Sequence, residues 1–188
     1  MYKRQQNLDE AGLGADDIST AVESISIGSI GSLGEIEGID NSQLQESIVG
    51  ITSKASESLK NTGLPSSSLS GVVEKITKGA VKGLGNINNQ NSDLSSMMEK
   101  VTAGATKGLN EFDISEISSL IEQITTGATE GIGELKNSKI VNVTDEQFGT
   151  LIEKSTGGAV KQLSSLNLDS SVIDGFVSKA RNGASNVL

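Results

Sequence analysis

Four glutamates recur with a threonine three residues on: Glu74 with Thr77, Glu99 with Thr102, Glu122 with Thr125 and Glu153 with Thr156. A carboxylate beside a hydroxyl is raw material for acid–base or nucleophilic chemistry. A catalytic acid, however, needs individually tuned surroundings, and a residue written four times in one context is seldom tuned individually. Each Glu is followed by Lys75, Lys100, Gln123 or Lys154, the pattern of a solvated helix flank. The threonines could be imagined as a hydroxyl row for ice or a polymer. The expectation is instead that their methyls edge a core while the hydroxyls bond back to the preceding turn.

The chain has no Cys and no His, which removes structural zinc, thiolate nucleophiles and the usual neutral-pH general base. The acidic and Asn-rich stretches Asp40–Ser42, Asn88–Asp93 and Asn142–Glu146 carry calcium-type oxygens, but none has the alternating ligands and closing Glu of an EF-hand loop. Caps and turns account for them. The expectation is therefore no enzyme: catalytic residues none, cofactor-binding residues none, metal ligands none, cofactors none.

The net charge of −9 is uneven, because residues 1–50 hold nine acids against Lys3 and Arg4. Such a chain lacks the basic footprint that phosphates require, so no nucleic acid is expected as partner and anionic lipid suits it poorly. No apolar run approaches the eighteen residues of a membrane span, so no transmembrane segment is expected. Phe112, Phe148, Phe176 and Tyr2 are the only aromatics, which leaves the core to Ile, Leu, Val, Ala and Met.

What must position these residues is a repeat. The phrase EKITKGAVKGL from Glu74 returns as EKVTAGATKGL from Glu99 and EQITTGATEGI from Glu122, with weaker copies at Glu153 and Lys179 and degenerate ones around Lys54 and Gly28. Taking Gly28, Lys54, Gly79, Gly104, Gly127, Gly158 and Gly183 as markers, the steps are 26, 25, 25, 23, 31 and 25 residues. The long step contains Lys136–Val143, read as a loop insertion.

Apolar and small residues such as Leu69, Val72, Val73, Ile76, Ala80 and Leu84 fall three and four apart, on one helical face. Asp113 with Glu116 and Thr144 with Gln147 have capping-box spacing, and Pro65 suits a helix start. Each copy reads as a helix of roughly 16 residues, about 24 Å long. A polar connection follows, whose apolar anchor (Ile36, Ile87, Phe112, Leu166) tucks onto the core.

The paired glycines Gly79/Gly83, Gly104/Gly108 and Gly127/Gly131 each cost about 1 kcal/mol inside a helix. The reading assigns the first of each pair to close helix crossing and the second to helix termination.

The expected fold is an all-α array of about seven single-helix repeats, a solenoid or bundle whose stacked copies make a continuous core. The alternative is a parallel helix stack joined by extended return segments. Residues 40–188 form the array, with its insertion near 136–143, and residues 6–39 a divergent N-terminal repeat or cap. Residues 1–5, MYKRQ, are what GTG TAT AAG AGA CAG would encode, a run that resembles a sequencing-library adaptor. A leader is then not readable here.

The expected function is a non-enzymatic structural or interaction protein, a fragment of a larger bacterial envelope or secreted repeat protein. Its partner would be a protein or a cell-envelope component. The alternative is a peripheral, amphipathic protein lying on a lipid surface.

Overall fold

The computed structural model describes residues 14–87, 93–138, 141–166 and 168–187. The five residues read as adaptor sequence lie outside this set, as do 88–92 of the Asn-rich stretch. Among the described residues seven α-helices follow one another: α1 (Ala15–Gly31), α2 (Asn41–Ser58), α3 (Ser66–Leu84), α4 (Leu94–Lys107), α5 (Ile114–Ser138), α6 (Asp145–Leu163) and α7 (Ser170–Ser185). No strand occurs among the described residues.

Local chemistry starts these helices. Thr144 and Gln147 form the expected reciprocal box, with Gln147 N–H on Thr144 Oγ1 at 3.2 Å and Thr144 N–H on Gln147 Oε1 at 2.9 Å. Asp40 and Gln43 make a second box, and the Asp93 carboxylate accepts from Ser95 N–H. The acidic residues Asp40 and Asp93 thus cap helices. Pro65 occupies the capping position itself, extended at ψ 149°, and the helix begins at Ser66.

The closest packing skips a neighbour: α1 lies on α3, α3 on α5, α5 on α7, and in a second layer α2 lies on α4 and α4 on α6. Within a layer the helices are parallel, because contacts advance together along both partners: Ser66 with Glu116, Ser70 with Ser119, Lys78 with Glu130. Between layers they are antiparallel. One core cluster joins the ends of α2 and α6 (Leu59, Leu163) to the beginnings of α3 and α5 (Leu69, Ile117). The other joins the ends of α1, α3 and α5 (Ile30, Leu84, Leu135) to the beginnings of α2 and α4 (Leu44, Met97). Helices therefore alternate up and down on short connections, and the all-parallel arrangement with extended returns does not occur.

Burial follows the sequence periodicity. Leu69, Val72, Val73, Ile76, Ala80 and Leu84 of α3 are all buried, each fully buried Ile or Leu contributing roughly 2 kcal/mol. Ile87, Phe112 and Leu166 do tuck onto the core. Ile36 does not: it is 50 % exposed, and Leu33, in the 3-10 turn Ser32–Glu35 that extends α1, fills the core instead. A tightened final turn delivers its side chain three residues earlier than an extended connection would.

The insertion near 136–143 begins later than the sequence suggests. The helix α5 runs on through Lys136 to Ser138, and Val141–Val143 lie outside regular structure with Val143 buried.

Candidate functional site

The residues that recur in sequence meet at the seams between helices two apart. A methyl built on Gly79 of α3 would run into the carbonyl oxygen of Glu23 in α1 and lie 2.9 Å from Ser26 Cβ. Gly104 stands in the same way against Val49 and Thr52, Gly127 against Glu74, Gly158 against Glu99 and Thr102, and Gly183 against Glu122 and Thr125. The glycine of one copy thus rests on the marker carbonyl of the copy two earlier, that of a Glu in four seams and of Val49 in the fifth. The Cα hydrogen that replaces the missing side chain faces that oxygen, a contact of about 0.5–1 kcal/mol that helps to offset the cost of helical glycine.

The second glycines do the same work, and the termination role read from the sequence fails at Gly83 and Gly131 while Gly108 does close its helix. A Cβ on Gly83 would lie 2.8 Å from Ile27 O, one on Gly108 2.7 Å from Ser56 Cβ, and one on Gly131 2.8 Å from Val81 Cβ. Gly83 and Gly131 lie inside their helices. Gly108 does follow the last residue of α4, but with right-handed backbone at φ −66°. Among the described residues, left-handed glycines are Gly38 and Gly63, in the connections after α1 and α2.

Three of the repeated threonines, Thr77, Thr102 and Thr125, are buried in the same seams, and Thr156 is half-buried. Thr77 donates to Val73 O at 3.0 Å, Thr125 to Ile121 O at 3.2 Å and Thr156 to Ile152 O at 2.9 Å, each within its own helix. Thr102 also crosses to α6, donating to Ser155 O at 2.6 Å. With Thr77, Thr102 and Thr125 inaccessible, these three present no hydroxyl row to an external ligand.

The repeated glutamates are flank residues with a partner the sequence did not reveal. The eighth residue after the marker position reaches back two copies in three cases: Lys82 pairs with Glu23 at 2.9 Å, Lys161 with Glu99 at 2.6 Å, and Asn186, which follows Ser178, approaches Glu122 at 3.4 Å. In α5 that position is Glu130, an acid facing the acid Glu74. Burial, then the Glu130 charge, push the Glu74 carboxyl above its ordinary range.

Lys78 answers Glu130 at 3.0 Å and Glu134 at 2.6 Å, and Lys82 also reaches Glu134 at 2.8 Å. Burial would lower the Lys78 ammonium, but its hydrogen bonds to Glu134 and Glu130 outweigh that and hold it well above the usual lysine range. Burial likewise opposes the Glu134 carboxylate, and the bonds from Lys78 and Lys82 overcome it and lower the group. The result is an ion ladder across α1, α3 and α5. The signal for it was present as charge at an offset of two repeats. Glu153, in α6, is exposed.

The concave features are open and shallow. One, about 330 Å³, lies between the beginnings of α3 and α5, lined by Ser66, Ser70, Ser115, Glu116 and Ser119. Among the described residues no group of three or more acids could hold a metal ion, and no helix is long and apolar enough to cross a membrane. No protein-family model matches the chain, and no curated protein matches it in sequence.

Proposed function

We propose that this chain is a non-enzymatic repeat scaffold whose exposed helix faces and connections bind a protein or a cell-envelope component. The observation that supports this is the division between what repeats and what varies. Apart from Glu153 and Thr156, the repeated Gly, Thr and Glu are taken up by seams between helices. At the residue after the marker position, Lys75 and Lys179 join the seams by pairing with Glu23 and Glu122, whereas Ser24, Gly50, Lys100, Gln123 and Lys154 vary and are partly or fully exposed. Constant seams with variable outer faces suit an array that presents a surface.

The lipid-surface alternative is separated by circular dichroism and flotation with neutral and anionic vesicles. A scaffold melts cooperatively without lipid, keeps its helicity when vesicles are added, and does not float. Helicity that rises sharply with vesicles replaces this reading with the lipid one, because a surface-lying helix buries its apolar face only on the membrane. Photo-crosslinkers at exposed Gly50 and Gly175 in the native cell should give discrete protein or envelope adducts; none from either face removes the binding role.

A further inference from the structure

Every seam has the same two halves. The earlier helix offers the carbonyl of its marker position and, three residues on, a buried Ser or Thr; the later helix lays its glycine there. Among the described residues four half-seams have no counterpart. On the receiving side, α1 has Gly28 and α2 has Lys54 at the glycine position; on the offering side, α6 has Glu153 and Thr156, and α7 has Ser178 and Arg181.

Two of these halves are complementary. Gly28 has no heavy atom within 4 Å of where its Cβ would be. Ile25 beside it is 65 % exposed, although its counterparts Ile76, Val101 and Ile124 are buried. The α6 face retains Ile152, Thr156 and Val160, all half-buried. The α1 face is thus shaped to rest on α6 as α3 rests on α1, and the occupant that matches it in register is a second copy of this chain.

The other two halves prevent it. Successive helices alternate layers, so a copy that placed its α1 on α6 would have to place its α2 on α7. That brings Lys54, where a glycine is needed, against Arg181, where a small hydroxyl is needed. Both side chains are exposed, Lys54 at 77 %. The bulky Lys54 side chain, which pairs with Glu57 of its own helix at 2.7 Å, would meet backbone and the Arg181 cation, a steric penalty first and a like-charge penalty that Glu57 reduces.

We infer that Lys54 and Arg181 act as stops that keep the chain from stacking head-to-tail on copies of itself through α1 and α6. Such a contact would be heterologous and, without closure, would grow into open chains. Both stops act at the one contact of α2 on α7, and the contact of α1 on α6 cannot form without it.

Sedimentation velocity over a wide concentration range tests this on the full chain. The parent should remain one species. The double variant Lys54→Gly/Arg181→Thr should self-associate at least about tenfold more tightly, into chains longer than dimers, and each single variant should fall between. Adding Gly28→Leu to the double variant should restore the parent's behaviour. Because Lys54 and Arg181 are exposed, circular dichroism should show unchanged helicity. The proposal is overturned by a parent that already assembles, by a folded double variant that stays a single species, or by assembly indifferent to Gly28→Leu.

Discussion

Gly158 of α6 rests against the carbonyl oxygen of Glu99 in α4, while Gly157, its neighbour in the chain, faces open space. The two glycines share a helix and a propensity cost, so they separate local from tertiary effects. Gly157→Ala should stabilise by about 0.5–1 kcal/mol, the ordinary gain of removing helical glycine. Gly158→Ala should lose about 1–3 kcal/mol, since the new methyl cannot avoid backbone. Thermal melts of the two variants should shift in opposite directions; shifts of one sign would refute the seam.

Gly104 offers a graded version of the same test. A Cβ there would lie 2.7 Å from Val49 O and 2.9 Å from Val49 Cα, and would overlap Thr52 Oγ1. Gly104→Ala should cost about 1–3 kcal/mol and Gly104→Leu more, despite leucine's better propensity. Ser119 is exposed, so Ser119→Ala should stay within about 0.5 kcal/mol of the parent. A Leu variant that melts as high as the parent would leave close packing without support.

The threonines should not be equivalent. Thr102→Val deletes a hydroxyl that bridges to Ser155 O in α6, an interhelical hydrogen bond of about 0.5–1.5 kcal/mol. Thr77 bonds only within its own helix, to Val73 O, a carbonyl the helix already uses. Thr77→Val should cost less, by chemical denaturation. Equal costs would show that the bridge contributes nothing.

The ion ladder makes stability depend on pH in two opposed ways. Glu134 is lowered in the folded chain, so its contribution is present above its ordinary value of 4.5 and is lost as pH falls through the folded value. Glu74 is raised, so its contribution is present below 4.5 and is lost as pH rises through its folded value. Glu134→Gln should therefore destabilise at pH 7, by under about 1 kcal/mol for a half-exposed group, with the deficit shrinking in acid. Glu74→Gln should stabilise at pH 7 by a few tenths of a kcal/mol, roughly the scale of surface ion pairs, and should lose that advantage in acid. Urea midpoints at pH 7 and pH 4 check both signs; a Glu74→Gln chain weaker than the parent at pH 7 contradicts the acid–acid contact with Glu130.

By itself the sequence determined the helices, the capping box at Thr144, the Glu116 half of the box at Asp113, and the anchors Ile87, Phe112 and Leu166. It also set the register that makes Gly28 and Lys54 equivalents of Gly79. These follow from local periodicity and from hydrogen bonds that close within a few residues. It did not determine which copy each helix rests on. A 25-residue period is the same whether a helix packs on the next copy or on the one after, so the two-layer arrangement waited for the tertiary structure. The partners decided by that choice were equally hidden: Glu23 with Lys82 and Glu99 with Lys161 lie 59 and 62 residues apart. The second glycines were misread for the same reason. A helix-ending glycine and a close-contact glycine look alike along the chain, and only the backbone lying across Gly83 and Gly131, from α1 and α3, distinguishes them.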